Sequence, residues 1–205
     1  MKRVLIVGGG IVGQFTAYYL NKAGHQVTVL DDAPAMSPAS VGNCGLISPS
    51  HILPLNTWGT LLKGLKWMGQ KDAPLSIKPQ FNKQFIGWFL SYIWHCRQSE
   101  VEKSIVARHE LLQLSWKLYN DVMAAESLDC NWRTGGLIYG CKTKDGLNDI
   151  ATEVALLQRH GLAARSLNRE ELHALEPLFT DDIIGGAIFE CDGWLMPGKL
   201  LENLT

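Results

Sequence analysis

The first part of the chain carries two short apolar runs with a helical pattern between them. Residues 4–7 form a continuous apolar run, which predicts a fully buried parallel strand. Residues 15–23 repeat apolar positions at helical spacing and stop at Gly24, a residue that favours helix ends. Residues 25–32, HQVTVLDD, predict a second strand. This part of the chain is therefore predicted to be a strand–helix–strand unit.

The remaining pattern alternates between loops, helices and short strands. Residues 33–54 show no sustained periodicity and predict a long loop, whereas residues 99 to about 128 predict a long helix. Later elements are predicted as a strand near 137–139, a helix that stops at Gly161, a short helix capped by Asn168 and Glu171, a strand after residue 184 and a helix from Pro197.

A glycine motif lies between the first predicted strand and helix, with the spacing Gly8-x-Gly10-x-x-Gly13. In this context the motif predicts a dinucleotide cradle, in which phosphates lie at the helix N-terminus. Asp31 follows Gly13 by 18 residues and is predicted to bind ribose hydroxyls, with Asp32 as the competing choice. An acid there favours NAD or FAD over NADP. The alternative is a tight turn that binds no ligand.

Composition excludes several classes of function. The 205 residues carry a formal net charge of −1, so neither a nucleic-acid groove nor a polybasic membrane anchor is expected. The five cysteines are widely spaced, which predicts reduced thiols in a cytoplasmic protein and no metal site. The apolar stretch at 85–94 is shorter than the ~20 residues of a membrane span, so no transmembrane segment is expected.

Three stretches resemble the FAD-dependent amino-acid oxidoreductases of the D-amino-acid oxidase superfamily, and most closely its bacterial D-amino acid dehydrogenases. The first is VLIVGGGIVGQFTAYYLNKAGHQVTVLD. The second is SVGNCGLISP together with LKWMGQKDAPLSIKP. The third is GGAIFECDGWLMPGKLLENL, which is similar to the point where such chains re-enter the FAD domain. The first stretch is common to many flavoproteins, and the other two narrow the choice.

The resemblance implies an α/β fold, with a Rossmann-type FAD-binding domain of the glutathione-reductase-like type and an inserted α+β substrate or cap domain. The expected ranges are 1–52 for the FAD-binding segment, 53–185 for the substrate region and 186–205 for the return to the FAD domain. Such enzymes are about twice this long. The chain is therefore expected to be an N-terminal portion whose C-terminal half is missing, with exposed apolar surface where that half would pack.

The resemblance also implies non-covalently bound FAD, with the glycine motif at the pyrophosphate, an acid on the adenosine ribose and a loop along the flavin. The family more often carries Glu at position 31. No catalytic residue is assigned, because the groups that clamp the substrate belong to the second half. The residues expected at the cofactor are Gly8, Gly10, Ile11, Val12, Gly13, Asp31, Asp32, Ser40, Gly42, Asn43, Cys44, Gly45 and Leu46.

The implied reaction is oxidative deamination of a D-amino acid by hydride transfer from its Cα to flavin N5, which yields a 2-oxo acid and ammonia. A quinone or another non-oxygen acceptor would then take the electrons. One alternative is a glycine, sarcosine or hydroxyproline oxidase of the same superfamily. The other is an inactive FAD-binding fragment that needs its missing half.

Single residues carry weaker signals. Cys44 is expected to be a small buried thiol beside the cofactor, and His51 a solvated loop residue. Arg133 or Tyr139 could face a substrate carboxylate. The aromatic run at 88–94 is predicted to be a core or cap helix, with peripheral contact to the inner face of a membrane left open.

Overall fold

The structure is a computed structural model that describes residues 1–32, 38–67, 80 and 82–204. The chain forms two compact units, one made of Met1–Ser50 with Trp116–Thr205 and the other of His51–Ser115. Most of the cap-like stretch at 65–79 lies outside the described residues. The assignment of chain ranges to an FAD domain and a substrate domain stays a prediction.

The first unit begins with a parallel strand–helix–strand arrangement. Strand β1 (Arg3–Val7) leads to helix α1 (Ile11–Lys22) and strand β2 (Gln26–Leu30). The two strands pair in parallel from Arg3↔Gln26 to Val7↔Leu30. Gly24 follows α1 with φ +81°, the left-handed conformation that ends helices. The predicted order and the predicted parallel pairing are both confirmed.

The prediction that the first strand is fully buried is wrong. Leu5 and Val7 are 60% and 84% exposed, and Leu30 on the neighbouring strand is 52% exposed. Within the described residues β1 pairs with β2 alone, and α1 covers one face of this pair. The opposite face therefore presents its apolar side chains to solvent.

The predicted long loop contains two short elements. Helix α2 (Pro38–Val41) is a single turn, and strand β3 spans Leu46–Ile47. The sequence gives no periodicity for elements this short, so the prediction of a structureless loop was wrong here. Residues 33–37 of the predicted loop lie outside the described part of the chain.

The second unit is helical and includes α3 (Trp58–Trp67) and α4 (Lys83–His95). No residue of α4 is buried, so the core alternative predicted for the aromatic run is wrong and the cap alternative stays a prediction. Its contacts to the chain before it are made at the polar ends of side chains, as in the hydrogen bond from Tyr92 Oη to the Leu55 carbonyl at 2.9 Å. No helix in the described residues is long and apolar enough to cross a bilayer.

Helix α5 (Gln98–Glu126) matches the predicted long helix closely, and the boundary between the two units falls inside it. The rest of the first unit follows along the chain as β4 (Arg133–Thr134), β5 (Leu137–Cys141), α6 (Lys144–Arg159), β6 (Arg165–Asn168), α7 (Arg169–Leu175), β7 (Gly185–Phe189), β8 (Gly193–Trp194) and α8 (Pro197–Leu204). The predicted strand near 137–139, the helix before Gly161 and the helix from Pro197 are confirmed.

Two antiparallel sheets complete the first unit. One has the strand order β5-β7-β6 and the other β3-β8-β4. A core of buried Leu167, Leu172, Ile183 and Ile188 packs on the first sheet, and each such side chain contributes about 2 kcal/mol. Strand β8 joins β3, from the predicted cofactor loop, to β4. This pairing brings the two ends of the chain together.

Helix α7 begins with the predicted capping box. The Asn168 side chain accepts a hydrogen bond from Glu171 N–H at 2.8 Å, and Asn168 N–H donates to the Glu171 carboxylate at 2.9 Å. Two helix-end donors are therefore satisfied reciprocally. The helix holds the fully buried Leu172 against the core.

Replacement of Asn168 by alanine should lower the free energy of unfolding by about 1 kcal/mol, because the side-chain acceptor is lost. Asn168→Asp is the control, since it keeps an oxygen at the same place and should lose less. Urea unfolding followed by circular dichroism measures both. Equal losses for the two variants would show that the cap does not stabilise the fold.

Candidate dinucleotide-binding site

The glycine turn brings α1 directly against the end of β1. Gly8 has φ +106°, a conformation that side chains disfavour, and a Cβ built there meets nothing within 4 Å. A Cβ on Gly13 would lie only 1.9 Å from the Gly8 carbonyl oxygen. Gly13 therefore permits a contact between helix and turn that any side chain would prevent.

The first turn of α1 contains neither a side-chain cap from its own N-cap residue nor an acid. Gly10 is the N-cap residue and supplies no side-chain hydrogen bond, and the first turn contains no Asp or Glu. The side chain of Val12 is 78% exposed. Because the side chains of Ile11 and Val12 cannot form hydrogen bonds, these residues bring only their backbone N–H groups to this end. The helix dipole and unpaired N–H groups at such an end favour an anion.

The two candidate acids lie differently. Asp31 accepts a hydrogen bond from Gly9 N–H, which draws its carboxylate onto the glycine turn. A Cβ on Gly9 would lie 3.1 Å from the Asp31 Oδ2 atom, so a side chain there would push the carboxylate slightly away from the turn. Asp32 is exposed beside it. The structure thus brings Asp31 onto the turn, where ribose recognition would require it.

Helix α2 carries Ser40 to the same turn. Ser40 Oγ accepts a hydrogen bond from Ile11 N–H at 3.1 Å, and it would lie 3.0 Å from a Cβ on Gly10. This contact joins two segments that are 29 residues apart in sequence. Ser40 and the glycine turn therefore form one site in the structure.

Residues 43–47 form a tight bend, hereafter the bend, against β8. Asn43 Oδ1 accepts from Gly45 N–H at 2.8 Å, while Asn43 Nδ2 donates to the Ser40 carbonyl at 2.8 Å. Gly45 has φ +65°, and a Cβ there would lie 2.0 Å from the Leu195 carbonyl oxygen. Leu46 pairs with Trp194 in the β3–β8 ladder. Leu46 is thus held by strand β8 and Gly45 by Leu195 directly after it, while Asn43 holds the bend to Ser40 and Gly45.

Gly42 and Cys44 are exposed, and the expectation that Cys44 is a buried thiol is wrong. The ladder with β8 begins at Gly45, whose carbonyl accepts from Leu195 N–H at 3.0 Å. Cys44 precedes this ladder, so no strand covers it. Its thiol lies on the solvent side of the bend.

A shallow apolar groove of about 600 Å³ runs beside α1. It shares two residues with the predicted site but holds no carboxylate and no cationic group. It is therefore suited to an apolar surface rather than to phosphates. Its lining residues are Ile11, Val12, Phe15, Thr16, Tyr19, Leu20 and Tyr119.

Sequence reasoning missed a buried polar pair next to the bend. Asp192 is fully buried and Ser50 is 1% exposed. Asp192 accepts from Ser50 N–H at 2.9 Å and from Ser50 Oγ–H at 2.7 Å. The only local signal was the turn-forming pair Asp192-Gly193, which says nothing about burial.

The Asp192 charge affects two neighbouring groups. Burial, and then the Asp192 carboxylate, raises the pKa of the Cys191 thiol to about 12. Burial raises the pKa of the Tyr139 phenol, and Asp192 raises it further. Both groups therefore stay protonated at neutral pH. Arg133 lies on β4, opposite Trp194, and is exposed.

The site is chemically suited to FAD. The turn offers backbone N–H groups and space for phosphates, Asp31 offers ribose oxygens an acceptor, and the bend offers small residues that a flat ring could approach. No group of three or more His, Cys, Asp or Glu side chains in the described ranges is placed to hold a metal ion.

Comparisons with known proteins agree with this arrangement. The chain is 31% identical to a D-amino acid dehydrogenase of Methylobacterium sp. (strain 4-46), over 90% of this chain and 45% of the relative. It is 30% identical to a D-amino acid dehydrogenase of Methylobacterium nodulans, over 85% of this chain and 42% of the relative. The chain thus spans less than half the length of these relatives.

Solved structures share the fold at low sequence identity. Glycine oxidase from Bacillus cereus matches with a TM-score of 0.66 and 18% identity, over 98% of this chain and 42% of that one. L-proline dehydrogenase from P. horikoshii matches with a TM-score of 0.60 and 16% identity, over 99% of this chain and 40% of that one. The predicted fold class is confirmed.

The family model for FAD dependent oxidoreductases, DAO, matches residues 3–205, which is nearly the whole chain. This match includes the glycine turn, the bend and the β7–β8 segment described above. It confirms FAD as the cofactor of the family and an oxidoreductase as the class of enzyme. The chain belongs to the DAO family of FAD-dependent oxidoreductases.

Proposed function

We propose that this protein oxidatively deaminates D-amino acids to 2-oxo acids and ammonia. The observation that carries the proposal is the N-terminus of α1 on a glycine turn that gives it no N-cap side chain, in a chain that aligns over 90% of its length with a D-amino acid dehydrogenase. When bound, FAD supplies the group that accepts a hydride from the substrate Cα. The chain itself binds and orients that cofactor.

Different residues of this chain would bind different parts of FAD. The backbone of Gly8, Gly10, Ile11, Val12 and Gly13 would line the pyrophosphate, because a helix N-terminus offers N–H donors and a favourable dipole. The N–H of Ile11 is bonded to Ser40 Oγ in the ligand-free chain. The carboxylate of Asp31 would bind the adenosine ribose, and exposed Asp32 is the weaker candidate.

The bend would lie along the flavin half of FAD. Ser40 starts this segment at the glycine turn, and Leu46 ends it on strand β8. Small and polar residues between them let a flat ring approach the backbone. The proposed contacts are made by Ser40, Gly42, Asn43, Cys44, Gly45 and Leu46.

A second candidate function is oxidation of glycine or of a secondary amine. The fold is shared with a glycine oxidase and an L-proline dehydrogenase, which supports this alternative at the level of the fold alone. A third candidate is FAD binding without turnover, since the chain spans 45% of its dehydrogenase relative. These alternatives differ in which substrate, if any, reduces the bound flavin.

We also propose a membrane-embedded quinone as the electron acceptor, reached by peripheral contact of this cytoplasmic protein with the inner face of the membrane. Helix α4 supports this proposal, because Trp88, Leu90 and Trp94 are between 51% and 60% exposed. Aromatic side chains favour the interface between water and lipid. Arg97 lies 3.2 Å above the Trp94 ring and adds a positive charge there.

Replacement of Gly13 by alanine should weaken FAD binding at least about tenfold, because the added Cβ would push α1 away from the Gly8 carbonyl. Gly87→Ala in α4 is the control, since a Cβ there meets nothing within 4 Å. Titration of FAD against the purified protein, followed by flavin fluorescence, gives both affinities. Wild-type affinity in a folded Gly13→Ala variant would contradict the proposed phosphate site.

FAD should protect Cys44 from alkylation, because its exposed thiol lies on the bend proposed to face the flavin. At saturating FAD we expect the rate at Cys44 to fall about tenfold. Mass spectrometry after iodoacetamide treatment at pH 8 measures it. Cys191 is the internal control, since its pKa of about 12 keeps it unreactive with or without FAD.

A panel of D-amino acids should bleach the flavin absorbance of the FAD-loaded protein under anaerobic conditions, with the L enantiomers at least about tenfold slower. Turnover should be faster with quinone in lipid vesicles than with oxygen. Bleaching by glycine or sarcosine alone would favour the second candidate. Bound FAD that no substrate bleaches would favour binding without turnover.

A further inference from the structure

We propose that Asp192 is a positioning residue that fixes the segment 43–50 for the flavin half of FAD. This inference rests on the proposed binding of FAD along residues 40–46. Asp192 belongs to the turn between β7 and β8 and contacts the segment from outside the proposed cofactor site. It would therefore act through the residues it holds.

The contact is made by both carboxylate oxygens. Ser50 N–H donates to Asp192 Oδ1 at 2.9 Å, and Ser50 Oγ–H donates to Oδ2 at 2.7 Å. Pro49 and Ser50 are both among the fully buried residues, as is Asp192. The end of the segment is thus held by two charge-assisted hydrogen bonds that water does not reach.

The turn that carries Asp192 is itself fixed by backbone hydrogen bonds. The Asp192 carbonyl accepts from Gly136 N–H at 3.1 Å, and Asp192 N–H donates to the Phe189 carbonyl at 3.2 Å. A Cβ on Gly193 would lie 2.7 Å from the Arg133 carbonyl oxygen, so β4 and β8 are in close contact. Asp192 is therefore a rigid point of attachment.

Three attachments follow one another along the segment. Ser40 is bound to Ile11 N–H at the glycine turn, and Gly45 is bound to Leu195 N–H on the chain after β8. The third attachment is the pair of bonds from Ser50 to Asp192. The residues proposed to face the flavin lie between the first and the third attachments, so their position depends on both.

A carboxylate suits this position because it has two acceptor oxygens for the two donors of Ser50. An asparagine would accept from Ser50 N–H through Oδ1 and would donate to Ser50 Oγ through Nδ2, so two charge-assisted bonds would become neutral ones. A fully buried carboxylate is costly unless it is hydrogen-bonded, so its presence here indicates that both bonds form. The substitution Asp192→Asn therefore weakens the attachment while it keeps the side-chain volume.

Loss of this attachment should affect the two halves of FAD unequally. The adenosine diphosphate half would contact the glycine turn and Asp31, which are held by Ser40 and by β1–β2 pairing. The flavin half would contact the bend, which Asp192 helps to hold. ADP therefore serves as a probe that engages the first attachment and avoids the third.

The first test uses the ligand-free chain and hydrogen–deuterium exchange. Asp192→Asn should accelerate exchange of the amides in residues 43–50 at least about tenfold and leave residues 3–8 unchanged. Ser50→Ala removes the hydroxyl donor and leaves the buried Asp192 Oδ2 without it, so it should also accelerate exchange in the same peptides. Asp182→Asn is the matched control, because Asp182 is an exposed acid paired with Lys142 at 2.7 Å.

The second test compares the affinities for FAD and for ADP by isothermal titration. Asp192→Asn should weaken FAD about tenfold and change ADP less than about twofold. The visible circular dichroism of the bound flavin should also change, since the ring would lose its fixed surroundings. Ser50→Ala should shift each quantity in the same direction.

The outcomes are distinguishable. Unchanged exchange in residues 43–50 would overturn the proposal, and so would a parallel loss of FAD and ADP affinity, which indicates a general structural role. If the wild-type chain binds neither nucleotide, the proposed FAD site fails, and the role of Asp192 towards the flavin fails with it. Exchange in the ligand-free chain would then still decide whether Asp192 holds the segment.

Discussion

The contact between Gly13 and the carbonyl oxygen of Gly8 sets how closely helix α1 approaches strand β1. The approach leaves 1.9 Å for a Cβ at Gly13, which is far less than two non-bonded atoms require. Because α1 begins at this turn, the N–H groups of its first turn lie at the end of β1. Asp31 and Ser40 are both hydrogen-bonded to backbone N–H groups of the same turn. The candidate phosphate site depends on this single close approach.

The bend at residues 43–47 extends that site and depends on the opposite end of the chain. Its strand β3 pairs with β8, and Ser50 is bound to Asp192, 142 residues away. The chain after β8 continues directly into α8, which packs near α1 and α2. One short antiparallel sheet therefore connects the glycine turn, the bend and the C-terminal helix. This connection is the physical reason why residues so distant in sequence can serve one cofactor.

Two features of the surface differ from the sequence-based expectations. The β1–β2 pair exposes Leu5 and Val7 on one face, and α4 exposes Trp88 and Trp94. An apolar run is buried only where another element covers it. The local sequence pattern contains no information on whether such an element is present. The exposed face of β1–β2 agrees with the expectation of unpaired apolar surface in a chain that spans 45% of its relative.

The sequence by itself determined the elements whose causes are local. The glycine spacing, the helix after it, the capping box at Asn168 and the long helix before residue 128 all depend on neighbours within a few positions. The family followed from the glycine stretch together with the resemblance of residues 40–49, 65–79 and 185–204. Only the tertiary structure decided that Asp192 is buried against Ser50 and that Cys44 is exposed. These depend on strand pairing between the two ends of the chain, for which hydrophobic periodicity carries no information.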